Sequence, residues 1–157
     1  MAKTPRVGEP APDFELDGTD GPFRLSEHRG ERVVLLFYPG DETPVCTRQF
    51  CSYRDDQDRI EALDATIVGI SGQDLDSHRR FSASHGLTVP LLADVDGVVA
   101  RSYSASLPGL GMTRRAVIVI DESGTVRHRH DHRLGLDYQT AAELEQALAS
   151  LPSREAS

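Results

Sequence analysis

Three short runs dominated by aliphatic side chains constrain this chain more than anything else in it. They are Val33-Val34-Leu35-Leu36-Phe37-Tyr38, Ala65-Thr66-Ile67-Val68-Gly69-Ile70 and Ala116-Val117-Ile118-Val119-Ile120. Apolar runs of this length without polar alternation are the pattern of strands buried on both faces, which needs a sheet covered on each side. The first run ends at Pro39-Gly40, and a helical stretch follows from about Pro44 to Leu63. A second helix is expected over Asp74 to His85, a short strand over Val89 to Leu92 and a short helix over Val95 to Tyr103. Asp121 to Gly124 reads as a turn into Thr125 to His130, a more polar strand suited to a sheet edge. Thr140 to Leu151 closes the chain with a helix whose Ala141, Leu144, Leu148 and Leu151 recur at spacings of three and four. Near the start, Phe14-Glu15-Leu16 and Phe23-Arg24-Leu25 flank a Gly- and Asp-rich segment and read as a small hairpin. Strands alternating with helices imply an α/β layer structure, and the final strand-turn-strand pair makes its sheet mixed. The first ten residues and residues 152–157 are expected to be loosely held.

The 157 residues fit one domain with a core over about 7–151. Lys+Arg number 17 against 25 Asp+Glu, a net charge of −8, and phosphate recognition needs clustered positive charge. The balance argues against nucleic acid as the main ligand. Tryptophan is absent, which weakens any base-stacking platform. No run approaches the ~18 apolar residues of a membrane span, and the first ten residues carry no apolar signal region. The two cysteines, Cys46 and Cys51, are too few for a disulfide scaffold or a four-cysteine zinc site. A cytoplasmic location follows as the expectation, and there a cysteine pair is more often redox-active or catalytic than a staple.

Both cysteines lie where the first buried run passes into its helix. Thr43 is a preferred N-cap residue and Pro44 suits the first helical position, which puts Cys46 in the first turn. Unpaired backbone N–H groups and the positive end of the helix dipole point there, so a thiolate is stabilised relative to the thiol. Asp41 and Glu42 act against this, and a cation from elsewhere in the fold is needed to complete the site. The alternative is that Cys46 is a small inert core residue. Against it, a helix N-terminus after a buried strand is a solvent-facing end in an α/β fold, where ligands tend to bind. Cys51 stands five residues on. On one regular helix that spacing is a rise of about 7.5 Å and a turn of about 500°, with Cα atoms roughly 8.6 Å apart. A disulfide needs less than about 7 Å. Either no bond forms between them, or the helix unwinds to allow one; the alternative for Cys51 is a buried apolar filler.

The spacing Pro39-x-x-x-Thr43-x-x-Cys46 directly after an apolar strand resembles the active-site signature of the peroxiredoxins. With Cys51 and Tyr53-Arg54-Asp55 it looks like the peroxiredoxin Q, or bacterioferritin comigratory protein, branch. Gly8-x-x-Ala11-Pro12-Asp13-Phe14, Val68-Gly69-Ile70-Ser71, Pro90-Leu91-Leu92-Ala93-Asp94 and Arg115 to Asp121 extend the resemblance over roughly residues 7–150. It implies a thioredoxin fold and thiol-dependent reduction of hydrogen peroxide and organic hydroperoxides, without metal, haem or flavin. By the same resemblance Cys46 matches the peroxidatic cysteine, which becomes a sulfenic acid. Cys51 matches the resolving cysteine, which would form an intramolecular disulfide later reduced by thioredoxin or a similar dithiol protein. Thr43 matches the residue that orients thiolate and peroxide, and Pro39 the one that shields them from water. Arg115 fits the family arginine, with the adjacent Arg114 as competitor. Two positions depart from the branch, Val45 where Gly is usual and Gln49 where Glu is frequent. Glutamine can accept a hydrogen bond from an arginine but offers it no full charge.

Competing functional readings are a general thiol–disulfide oxidoreductase, disfavoured by Cys-x4-Cys spacing, and a redox sensor or holdase using the same disulfide. The expected partners are the hydroperoxide and the dithiol reductant, with no nucleic acid or membrane, and the chain a monomer or weak homodimer. His128, His130 and His132 would share one strand face and suggest a metal site, although a solvated edge strand is favoured over it. The apolar, glycine-rich Leu107 to Met112 could cover the site, contact a second copy or simply pack as a loop.

Overall fold

The computed structural model describes residues 6–41, 44–107, 112–131 and 141–149. The strands are β1 (Glu15–Gly18), β2 (Phe23–Arg24), β3 (Arg32–Phe37), β4 (Ala65–Ser71), β5 (Leu91–Ala93), β6 (Ser106–Leu107), β7 (Met112–Thr113), β8 (Ala116–Ile120) and β9 (Val126–Asp131). The α-helices are α1 (Pro44–Asp55), α2 (Gln57–Ala62), α3 (Leu75–His85), α4 (Val98–Ser102) and α5 (Ala141–Ala149). The main sheet runs β2-β1-β5-β4-β3-β8-β9, and β6 and β7 form a separate two-stranded ribbon. β3, β4 and β5 are parallel, while β8 is antiparallel to β3 and β9 to β8, the mixed sheet expected from the sequence.

The three aliphatic runs occupy the middle of the sheet because both their faces are covered. Along β3, Val34 and Leu36 face a cluster holding Tyr38, Cys46, Phe50, Tyr53, Phe81 and Leu144. Val33, Leu35 and Phe37 face the opposite cluster, with Phe23, Leu92, Val99 and Tyr103. α1, α2, α3 and α5 therefore contribute to one face, and α4 with the N-terminal hairpin to the other. β9 is an edge strand, as its polarity implies. Its outer edge is not bare, because Gly8 N–H donates to the Val126 carbonyl (2.7 Å) and Val126 N–H to the Glu9 carbonyl (2.9 Å). Residues 8–10 are thus tied down where the sequence led us to expect loose chain. Residues 152–157 lie outside the described residues.

Two helices differ from expectation for local reasons. The stretch read as one helix from Pro44 to Leu63 is two, because Asp56 (φ −100°, ψ 31°) leaves helical geometry between α1 and α2. Phe50, Tyr53 and Ile60 keep a near-helical apolar spacing across the break, so periodicity does not report it. α4 starts at Val98 rather than Val95 because Gly97 takes a left-handed φ of 69°. The buried Asp94 carboxylate then accepts from the N–H groups of Val99 (3.2 Å) and Ala100 (2.9 Å). α3 begins as its sequence implies, with the Asp74 side chain accepting from Ser77 N–H (2.8 Å).

The seat of α1 on the sheet depends on Gly69. A Cβ there would stand 2.8 Å from Phe50 Cζ and 3.0 Å from Leu91 Cδ2. Phe50 cannot retreat, since it is wedged edge-on between Tyr38, Tyr53 and Phe81 at ring-centroid distances of 4.8, 5.9 and 6.2 Å. Gly69→Ala is expected to cost about 1–3 kcal/mol of stability by overpacking. Urea unfolding measures this, and an unchanged midpoint would contradict the account.

Candidate active site

The ends of three elements meet at the C-terminal edge of β3. Phe37 pairs with Ala116 across the antiparallel β3–β8 ladder, so the residue preceding β8 arrives beside the residue following β3. Arg115 is brought in this way to the first turn of α1. Its Nη2 donates to Cys46 Sγ at 3.0 Å. Its Nη1 donates to Gln49 Oε1, and Gln49 Nε2 donates onward to the Tyr53 hydroxyl at 3.0 Å. Cys46 and Gln49 share a helix face because they are three residues apart. The assembly is closed: Cys46 is 0%, Gln49 1% and Arg115 2% exposed. The solvent-facing helix start expected for Cys46 is instead a sulfur roofed over by the apolar cluster and a guanidinium.

Arg114 turns elsewhere, donating to the Ser104 carbonyl (2.7 Å) and the Asp131 carboxylate (3.0 Å). Arg115, not its neighbour, is thus the arginine at the sulfur. Cys51 is half-buried on the same continuous helix as Cys46, and both are free thiols. Pro39 follows β3 and is half-buried. Thr43 and its N-cap role lie outside the described residues, as do Glu42, His132 and the centre of the Leu107 to Met112 loop. Among the described residues, no three His, Cys, Asp or Glu are grouped to hold a metal ion, and no helix is long and apolar enough to cross a membrane.

Asp41 behaves differently from its sequence reading. Rather than facing the thiol as an uncompensated charge, its carboxylate accepts from the Tyr38 hydroxyl (2.7 Å), the Ser77 hydroxyl (2.8 Å) and His78 Nδ1 (2.7 Å). Burial works to raise its pKa, but the bonds from His78 and Tyr38 and the charge of His78 outweigh burial and hold it below the ordinary carboxylate value. Tyr38 is pushed well above the ordinary phenol value, first by burial and then by the Asp41 charge, so it stays a neutral donor. The available sequence signal was His78 itself, three residues before Phe81 on the buried face of α3. Nothing local indicates that its partner would be Asp41.

The AhpC/TSA family model matches residues 7–129 of this chain. The chain belongs to the AhpC/TSA family. Peroxiredoxin Q, chloroplastic, of Oryza sativa subsp. japonica is 35% identical over 128 residues, 80% of this chain and 59% of that protein. This chain therefore spans about three fifths of the length of that relative. Peroxiredoxin Q, chloroplastic, of Sedum lineare is 33% identical, covering 93% of this chain and 77% of its own. The crystal structure of peroxidoxin BcpB from Mycobacterium tuberculosis superposes with a TM-score of 0.79 at 31% identity, covering 95% of this chain and 99% of that one. The architecture is accordingly the thioredoxin fold of this family, a central mixed sheet flanked by helices with the β1–β2 hairpin as its N-terminal addition. The family reading from the sequence, including its peroxiredoxin Q branch, is borne out. The cytoplasmic expectation is corrected. The similar plant proteins of Oryza sativa and Sedum lineare are named as chloroplastic, so likeness to this family does not carry a cytoplasmic location.

Proposed function

We propose that this chain is a thiol-dependent peroxidase acting on hydrogen peroxide and organic hydroperoxides, with Cys46 as its nucleophile. The observation that carries the reading is the environment of the Arg115 guanidinium. It is buried, and its side-chain hydrogen bonds among the described residues go to a neutral amide oxygen and the Cys46 sulfur. A buried cation is expensive unless balanced, and of those two partners the sulfur alone can take negative charge. The guanidinium and the positive end of the α1 dipole both face the sulfur, the surroundings that suit a cysteine nucleophile.

In the proposed cycle the Cys46 thiolate attacks one peroxide oxygen. The O–O bond breaks, Cys46 is oxidised to a sulfenic acid, and the departing oxygen leaves as water or an alcohol after taking up a proton. Arg115 stabilises the charge that develops on the leaving oxygen. Pro39 shields the sulfur from water, and the Thr43 hydroxyl orients thiolate and peroxide. Cys51 then attacks the Cys46 sulfur, water departs, and an intramolecular disulfide forms. Thioredoxin or a similar dithiol protein reduces it, becoming a disulfide itself. Because both cysteines lie on one continuous helix, about 8.6 Å apart at Cα by helix geometry, the resolving step requires α1 to unwind locally. The proposed working form is a monomer or weak homodimer without nucleic-acid or membrane partners, in keeping with the net charge of −8. The names of the relatives favour this reading over a general thiol–disulfide oxidoreductase or a non-enzymatic sensor.

The test is peroxide consumption driven by a thioredoxin system, with intact mass recorded before and after one equivalent of peroxide. Turnover with a loss of two hydrogens supports the cycle; no consumption overturns it. Cys51→Ser is expected to keep the first oxidation, gaining one oxygen, and to form no internal disulfide. A variant that still loses two hydrogens would contradict the role of Cys51, since the chain has only two cysteines.

A further inference from the structure

His78 is completely buried, and both of its ring nitrogens face acceptors. Nε2 lies 3.0 Å from the Leu92 carbonyl, which can only accept. Nδ1 lies 2.7 Å from Asp41 Oδ2, whose other oxygen already accepts from Tyr38. The Tyr38 hydroxyl, which donates to Asp41 Oδ1, also lies 3.3 Å from Nδ1. A carboxylate and a carbonyl only accept, so each ring nitrogen is placed as a donor, the arrangement of an ion pair. His78 and Asp41 are 0% and 2% exposed at their side chains, an ion pair sealed between α3, β5 and the turn after β3.

That turn stands between β3 and α1 in the chain. Asp41 is gripped at its backbone as well, its N–H donating to Gln73 Oε1 at 3.1 Å. Tyr38, the other arm of the Asp41 carboxylate, packs its ring against Phe50 of α1 and belongs to the same cluster as Cys46. Three groups meet the pair, Tyr38 from the end of β3, Ser77 from α3 and the Leu92 carbonyl from β5, and of these Tyr38 bears on α1.

We propose that His78 is a positioning residue for the reaction, holding the 39–41 turn against α3 through its buried ion pair with Asp41. Through that turn it keeps the first turn of α1 wound, with Cys46 at Arg115. The inference deepens the peroxidase reading and rests on it. The pair opposes the unwinding that the resolving step needs, so it favours oxidation of Cys46 and delays the disulfide. Removing one partner leaves the other as a buried unbalanced charge, whereas replacing both leaves neutral groups that can still bond.

The experiment compares the full chain with Asp41→Asn, His78→Gln, the double variant and the milder Ser77→Ala. Three rates are followed by quenched intact mass: Cys46 oxidation by peroxide, disulfide formation from the sulfenic acid, and iodoacetamide alkylation of Cys46 against Cys51. Each charge-breaking single variant is expected to slow oxidation by at least about tenfold, as small misplacements of reacting groups do. Disulfide formation should be no slower, and alkylation should rise at Cys46 but not at Cys51. The double variant should recover most of the lost oxidation rate, which general destabilisation would not produce. Should a single variant fail to fold, the double variant and Ser77→Ala carry the comparison, the latter slowing oxidation with Cys51 alkylation unchanged. Unchanged oxidation rates, a double variant as slow as the product of the singles, or alkylation rising equally at both cysteines would overturn the proposal. If the unaltered chain consumes no peroxide, the peroxidase reading fails, and the alkylation ratio still decides whether the pair holds Cys46 in place.

Discussion

Cys46→Ser protein is expected to consume no hydroperoxide above the reductant-only background. A serine hydroxyl at neutral pH is un-ionised and far less nucleophilic than a thiolate, and loss of a covalent nucleophile costs on the order of a thousandfold or more. Cys46 and serine differ by one atom in a fully buried site, so the fold should persist. The check is peroxide loss under a thioredoxin system, with urea unfolding as a control. Retained turnover would remove Cys46 from the mechanism, leaving Cys51 as the other sulfur nucleophile available in the chain.

Arg115→Met is expected to slow Cys46 oxidation by about 10²–10³, the range seen when one preorganised donor to developing charge is removed. The guanidinium spans sulfur and Gln49 with two different nitrogens, so its fork matters as well as its charge. Arg115→Lys keeps the charge but offers a single ammonium, and should fall between the parent and the methionine variant. The measurement is the second-order rate of the first oxidation, taken in the Cys51→Ser background so that only one step is observed. Equal rates for all three side chains would show that the cation plays no part in the chemistry.

The Arg115 geometry also answers the question raised by Gln49. A glutamate there would pair its full charge with the guanidinium. Glutamine accepts the same hydrogen bond through Oε1 and keeps its own N–H for Tyr53, so the arginine is still oriented. That a neutral side chain could hold the arginine was legible from the donor and acceptor inventory of glutamine. The helix reading already set Gln49 and Tyr53 on one face, four residues apart; that this face would be buried with Arg115 against it was not legible, because the arginine arrives from the start of β8.

What the sequence determined by itself was the class of fold and where along the chain the candidate site lies. Aliphatic runs too apolar to face water demand a covered sheet, and a cysteine at the start of the helix after such a run sits in the helix's positive field whatever surrounds it. Those are local consequences of burial and backbone polarity. Tertiary structure decided which arginine reaches the sulfur, because only the antiparallel β3–β8 register sets Arg115 and not Arg114 beside Cys46. It likewise turned Asp41 from an opposing charge into one half of an ion pair with His78, thirty-seven residues away along the chain. Charge balance inside a protein is settled by neighbours in space, and neither residue carries any mark of the other in its own stretch of chain.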